Sequence, residues 1–274
     1  MPAGGLPTGV KEAGQRVDFR AEQFSLLIAT KGYRVWWSRA AICPCRNNTE
    51  TDQPKTTCQL CHGTGFFKFL PEIGLDKYPV DSFGNAIQIN AAKNAVLIQL
   101  NITQASKDPQ ILERFGTWIF GTVRVTSEWC NKLSYRDYLT LADAIMAWSQ
   151  LIEYQGGETI PVTGGYKQDG PRYKIVQCNL LRSVDQVYTE GEHYFVNESG
   201  GITWLLPAAS RPSTGTLLSI HYYFNPIYRV LDHVYAYRDS LIAKKTGAAT
   251  LAEQVKKLPT HAMAKLDFLL EDDS

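Results

Sequence analysis

The tightest constraint on this chain lies in the stretch CPCRNNTETDQPKTTCQLCHGTG, Cys43 to Gly65. Four of the six cysteines fall there as two close pairs, Cys43 with Cys45 and Cys58 with Cys61, separated by a polar loop that contains Pro54. Two short knuckles of this kind bring four thiolates to one point, and zinc accepts such a tetrahedron without a geometric preference of its own. With all four positions filled by protein, no place is left for water, so a metal held this way supports structure rather than catalysis. A subdomain this poor in apolar residues needs such a staple to fold. The spacing marks Cys43, Cys45, Cys58 and Cys61 as ligands of a structural Zn2+, with Gly63 and Gly65 expected to turn the backbone tightly and aim its N–H groups at the sulfurs.

Other readings of the same residues stand beside this one. The four thiols could be reduced and unliganded, or His62 could replace one cysteine, although adjacent ligands at 61 and 62 strain the chelate. A redox site of the thioredoxin type needs its C-x-x-C at a helix start after a strand, whereas Cys61 runs into HGTGFFKFL, an aromatic strand pattern. The N-terminus has neither a charged start followed by an apolar run nor a small-residue cleavage site, so a reducing, cytosol-like space is expected and disulfides are disfavoured. The first pair, C-P-C, is one residue tighter than the usual C-x-x-C.

Charge and hydropathy narrow the function. The formal net charge is +1 with a sequence pI near 7.6, which gives no basic excess for a phosphate backbone. No stretch approaches about 18 uninterrupted apolar residues, so no membrane-spanning helix is expected. Catalytic signatures are thin: His62, His193, His221, His233 and His261 are scattered, and neither a phosphate-binding loop nor a dinucleotide fingerprint occurs. GGYKQDGPRY reads as an exposed loop, and Cys130 and Cys178 read as small buried apolar residues. The chain is not expected to be an enzyme.

Most of the remainder reads as short strands. Phe19, Phe24, Leu27 and Ile28 recur at helical spacing from Asp18 to about Thr30, and Lys31-Gly32 closes that segment. YRVWWSRAAI, AIQIN, AVLIQLN and TWIFGTVRVTS are strand candidates, the last half-buried because Thr122, Arg124 and Thr126 alternate with Val123 and Val125. Leu139 and Leu141 fit a short strand or turn, and HYFV and ITWLL flank the turn NESGG as a hairpin. The expected fold is mainly β, with sandwich or barrel units, a small N-terminal helix, the four-cysteine subdomain and a partly helical, extended C-terminal tail. The corresponding divisions are 1–78 (helix, strand and zinc knuckle), 79–155 and 156–240 (two β-rich regions) and 241–274 (the tail). In that tail AATLAEQVKKL is read as helix, and KLDFLLEDDS as a segment ordered by a partner.

Two resemblances add to this. CQLCHGTG resembles the C-x-x-C-x-G-x-G repeat of the DnaJ-type chaperone zinc domain over eight residues, which supports a metal and implies nothing about chaperone activity. The segment from Val187 to Leu231 resembles a pattern of tailed-bacteriophage virion proteins, carried by Gly191, Tyr194, Val196, Ile202, Trp204, Gly215, Leu218, Ile220, Tyr222, Pro226, Tyr228 and Val230. GYRVWWSRAAICPC followed by CQLCHGTGFF is similar to the zinc-bearing front end of phage neck or tail proteins. The resemblance implies a virion component assembled in the host cytoplasm, a ring-forming connector, stopper or collar subunit at the head-to-tail junction. Its partners would be further copies of itself and neighbouring neck or tail proteins, and DNA would pass without specific binding. A baseplate or tube-associated position would show the same composition. A zinc-knuckle nucleic-acid-binding module is the alternative of another class, with the aromatics of FFKFL and YRVWW stacking unpaired bases.

Overall fold

A computed structural model of the chain describes residues 21–46, 54–55, 58–61, 64–71, 88–104, 121–163, 169–235, 239–246, 249–257 and 259–269. Helix α1 (Ala21–Lys31) precedes β1 (Tyr33–Ile42), β2 (Phe66–Phe69), β3 (Ile89–Asn90), β4 (Ala95–Gln104), β5 (Thr122–Ser127) and β6 (Tyr138–Leu141). Then come β7 (Met146–Glu153), β8 (Thr159–Ile160), β9 (Gln177–Arg182), β10 (Val187–Tyr188), β11 (Tyr194–Val196), β12 (Ile202–Trp204) and β13 (Leu217–Phe224). The chain finishes with β14 (Ile227–Tyr235), β15 (Asp239–Thr246), β16 (Ala249–Lys257) and β17 (Thr260–Leu266). The protein is therefore mainly β. Its contacts form two units, each assembled from separated pieces: residues 1–40, 69–139 and 228–274 make one, and 41–68 with 140–227 make the other. No helix among the described residues is long and apolar enough to cross a membrane.

The first unit is a closed six-stranded barrel. Its strands follow the order β1, β6, β14, β17, β5, β4, and pairing of β4 with β1 closes the circuit, while β2 and β3 extend the sheet at its margins. Closure follows from alternation: Val35 and Trp37 on β1 stand opposite Ile98 and Val96 on β4, and all four are buried. Ala262 and Ala264 on β17 oppose Val125 and Val123 on β5 in the same way, and small residues there leave room for the large ones across the interior. Helix α1 lies against β4 with Ile28 buried. It ends where Gly32 donates its N–H to the Ile28 carbonyl at 2.8 Å, and a Cβ at Gly32 would lie 2.2 Å from that oxygen. Phe19 and the start of the helical pattern at Asp18 lie outside the described residues.

Two expectations are corrected here. The segment from Leu241 onward is not a partly helical, extended tail: AATLAEQVKKL is strand β16, paired along its length with β15, and β17 is a barrel stave between β14 and β5. The helical spacing of Leu251 and Val255 is weak, and the pairing of neighbouring strands overrides it. The residues just after β17 are held on the barrel as well, since Asp267 forms a buried ion pair with Arg229, whose guanidinium lies 4.4 Å from the Tyr138 ring; the rest of KLDFLLEDDS, residues 270–274, lies outside the described residues. Nor is β5 half-buried: Thr122 and Thr126 are buried as well as Val123 and Val125. On the polar face Thr126 bonds His261 Nδ1 of β17 at 2.8 Å, whereas the Thr122 hydroxyl is buried without a hydrogen-bond partner among the described residues; at the strand end Ser127 bonds Thr260 at 2.7 Å.

The second unit holds a four-stranded sheet, β10-β9-β13-β7, and a three-stranded one, β11-β12-β8. Strand β13 alternates cleanly, with Leu218, Ile220, Tyr222 and Phe224 buried and the residues between them more exposed. Trp204 of β12 joins the sheets, meeting Tyr188 of β10 edge-on at 4.9 Å, with Tyr154 and Tyr194 at 5.9 and 6.3 Å. The predicted hairpin is present: Tyr194 opposes Trp204 and Val196 opposes Ile202 across a turn held by Gly200 at φ 82°.

Candidate metal centre

Strand β1 ends at Ile42 and delivers Cys43 into a single 3-10 turn, Pro44–Arg46, in which Arg46 donates to the Cys43 carbonyl at 3.0 Å. Within that turn the tight C-P-C spacing still leaves the sulfurs of Cys43 and Cys45 within 4.8 Å of each other. The second pair sits on a turn opened by a bond from Cys58 N–H to the Lys55 carbonyl and closed by one from Thr64 N–H to the Cys61 carbonyl, both 3.0 Å. A bond from Cys43 N–H to the Gly65 carbonyl, 2.9 Å, ties the two turns together. Gly65 has φ 74°, and a Cβ there would meet the Arg46 side chain at 2.8 Å. The glycine is required by both conformation and space.

All four sulfurs lie within 4.8 Å of one another. Cys43 Sγ is 3.7 Å from Cys58 Sγ, and Cys45 Sγ is 3.4 Å from Cys61 Sγ. These separations are far longer than a disulfide bond, and none of the six cysteines forms one. A metal with sulfur ligands at about 2.3 Å in a tetrahedron needs sulfur–sulfur edges of about 3.8 Å, which the cluster brackets. Cys43 and Cys61 are buried and Cys45 and Cys58 are half-buried, so one side of the cluster is shielded from water. The residues fit a four-thiolate metal ion.

Backbone donors around the sulfurs favour thiolates. The amides of Cys61 and Leu60 lower the Cys58 pKa to about 6 against the desolvation that opposes them. The Cys45 amide draws the Cys43 thiol the same way, but burial and the neighbouring thiols of Cys58 and Cys61 outweigh it and the group ends above its usual value. Burial likewise pushes Cys45 up against the pull of the Lys55 amide. A metal cation at the centre would reverse both upward shifts, since it replaces thiol–thiol repulsion by coordination. The amide donors thus come from Cys45, Lys55, Leu60 and Cys61; Gly65 contributes a carbonyl instead, and Gly63 and His62 lie outside the described residues.

The other residues singled out in the sequence do not converge. His193 accepts from the Thr189 amide in the turn before β11, His221 bonds Ser149 at 2.7 Å on the exposed face of β13, and His261 bonds Thr126 in the barrel. Cys178 is buried, whereas Cys130 is exposed because it falls in the turn closed by Asn131 N–H and the Glu128 carbonyl. Within YRVWW, Trp37 is buried and donates Nε1 to Asp137, which removes it from any stacking surface. Phe66, Phe67 and Phe69 are half-buried, and the Arg46 guanidinium lies over Phe66 at 5.3 Å.

Asp137 escaped the sequence reading. It has no exposed side-chain surface and accepts from Trp37 Nε1 at 2.8 Å, Ser134 N at 2.7 Å, Ala40 N at 3.1 Å and Arg39 at 3.4 Å. Burial still pushes its carboxyl above the ordinary range, opposed by the Trp37 indole, the two amides and Arg39. A single Asp in NKLSYRDYL carries no mark of this, because three of its four partners, Trp37, Arg39 and Ala40, come from β1, about a hundred positions earlier.

No protein-family model matches the chain, and no curated protein matches it.

Proposed function

We propose that this chain is a structural subunit of a bacteriophage virion, a ring-forming connector or neck protein of the stopper or collar kind, with a zinc ion as the staple of its knuckle. What supports this reading most is where the phage-like pattern falls. Its residues occupy consecutive strands and their turns: Tyr194 and Val196 on β11, Ile202 and Trp204 on β12, Leu218, Ile220 and Tyr222 on β13, Tyr228 and Val230 on β14. Gly191 just before β11 and Gly215 between β12 and β13 have positive φ. The similarity therefore falls on four strands that follow one another along the chain, β11 and β12 in the three-stranded sheet, β13 in the four-stranded sheet and β14 in the barrel.

A closed set of four cysteines suits the same role, since it offers a cation no open coordination position and can only brace the backbone. Zinc is the ion that four thiolates at these separations favour in a reducing compartment. Self-association into a ring and contact with neighbouring neck or tail proteins follow from the role, as does passage of DNA without a specific grip from a chain of net charge +1.

The test joins two measurements on one sample: metal content, and solution mass by light scattering with and without phage neck or tail proteins. The expected result is one zinc per chain and a ring-sized particle, formed alone or on addition of the partner. A metal-to-protein ratio near zero removes the staple. A chain that stays monomeric with every neck and tail protein removes the ring.

A further inference from the structure

Beyond β14 and β17 the chain forms a second antiparallel pair. Tyr235 of β14 opposes His261 of β17 at the barrel edge, and Asp239 of β15 opposes Lys257 of β16, four positions away along the sequence on each side. From there β15 and β16 run on as a two-stranded ribbon to Thr246 and Ala249, and among the described residues they pair only with each other. The barrel thus carries an arm made of eight residues in one strand and nine in the other. A lone two-stranded ribbon is at best marginally stable in water, because it has one sheet layer and two unpaired edges. Such an arm gains order when a further strand joins an edge.

The second unit offers a strand edge of matching length. Strand β7 is the outermost member of its sheet and eight residues long, and it pairs with β13 in an unbroken register from Met146 to Glu153. Natural sheets blunt such edges with a lysine, a proline or a bulge. β7 has none of these, and it leaves Leu151 56% exposed.

Charge supplies the occupant. Asp143 and Glu153 bracket β7, and no lysine or arginine lies between them. The arm has Lys244 and Lys245 near its tip and Lys256 and Lys257 near its base, against Asp239 and Glu253. The lysine pairs at both ends of the ribbon thus match the acidic residues at both ends of the edge strand.

We infer that the β15–β16 arm of one copy adds to the β7 edge of a second copy, so that the four-stranded sheet of one chain continues into the ribbon of the next. The two surfaces differ, so the contact is head-to-tail, and repeated copies close into a ring or extend as a filament. This deepens the ring proposed above and rests on it only for the claim that the chain assembles with itself.

The experiment uses the full chain and two variants. In one, residues 237–258 are replaced by an Asn-Gly turn, which removes the arm and keeps the edge. In the other, Leu151→Lys blunts the edge at an exposed position and keeps the arm. Light scattering is expected to give an oligomer for the parent chain, a monomer for each variant, and a particle of twice the monomer mass for their mixture. The mixture stops at two because one partner has only an edge to offer and the other only an arm. If the parent oligomerises and Leu151→Lys leaves its mass unchanged, the arm contact is wrong while a ring by another surface stands. If the parent is monomeric at all concentrations, the contact and the self-assembled ring fall together. An arm-deleted variant that fails to melt cooperatively leaves the decision to Leu151→Lys, whose site is on the surface.

Discussion

Asp137 gives the sharpest quantitative test of how the barrel is held. Replacing it by Ala removes the acceptor of four donors at once, two of them main-chain amides and one the indole of Trp37, which is 3% exposed. A buried donor left without a partner costs about 1–3 kcal/mol, and Trp37 Nε1 bears that cost in full. The amides of Ala40 and Ser134 are only part-buried and recover some of theirs from water, while Arg39 keeps its bond to Ser134 Oγ at 2.5 Å. The variant also no longer carries the desolvation that pushes the Asp137 carboxyl up, which offsets part of the loss. The net expected destabilisation is about 3 kcal/mol, near the lower end of the range for breaking a buried charged network.

The assay is urea unfolding followed by tryptophan fluorescence, with the loss read at fixed m-value. Asp137→Asn keeps one acceptor oxygen and avoids burying a charge, so it is expected to cost less than half as much. A double-mutant cycle with Trp37→Phe should show a coupling of about 1.5–3 kcal/mol, the range for a hydrogen bond to a charged group. An Asp137→Ala protein within about 0.5 kcal/mol of the parent would refute the reasoning, since that is the scatter of neutral surface changes.

Three further outcomes are expected. Truncation before Pro259 should abolish cooperative melting of the barrel unit, because it deletes the stave between β14 and β5; a truncated chain that melts like the parent would return residues 259–269 to the status of a tail. Gly200→Ala should destabilise the second unit by about 1–3 kcal/mol in calorimetry, since the residue sits at φ 82° and a Cβ would lie 2.2 Å from the Lys174 side chain and 2.9 Å from the Ile175 amide nitrogen. Tyr222 is buried with its hydroxyl donating to Gln150 and accepting from the Tyr173 amide, and burial raises its pKa to about 12. The unfolded phenol ionises near 10, so its contribution is fully present below pH 10 and is lost as pH rises toward 12. Urea titrations at pH 9 and pH 11 should show a fall that Tyr222→Phe reduces.

What could be read from the sequence was whatever depends on neighbours along the chain. The four cysteines form two local pairs, and each pair folds in a turn of a few residues, so spacing alone located the four-sulfur cluster. The strand candidates around YRVWW, AVLIQLN and ITWLL were legible because alternation is a local signal too. The outer face of β5 shows where that signal stops. Its threonines looked solvent-facing by residue type, but both are buried: the Thr126 hydroxyl finds His261 on β17, more than a hundred residues away in sequence, while the Thr122 hydroxyl is buried without a hydrogen-bond partner among the described residues. Asp137 was invisible for the same reason.

The misread tail shows why the failure fell where it did. A barrel closes only when its last stave finds an unpaired edge on each side, and here that stave is β17, next to last among the features of the chain. Its own residues, THAMAKL, are too small and too mixed to announce a strand, and Ala262 and Ala264 suit the position because the facing interior is filled by larger residues. The tight hairpin logic that joins β14 to β17 is hidden as well, because the connection is a ribbon of two long strands instead of a short turn. Length in that connection has no role in closing the barrel, since a two-residue turn would join the staves. A two-stranded connection carried far past the barrel therefore points to work done at the far end, and the β7 edge is the surface on this chain whose length and charge answer it.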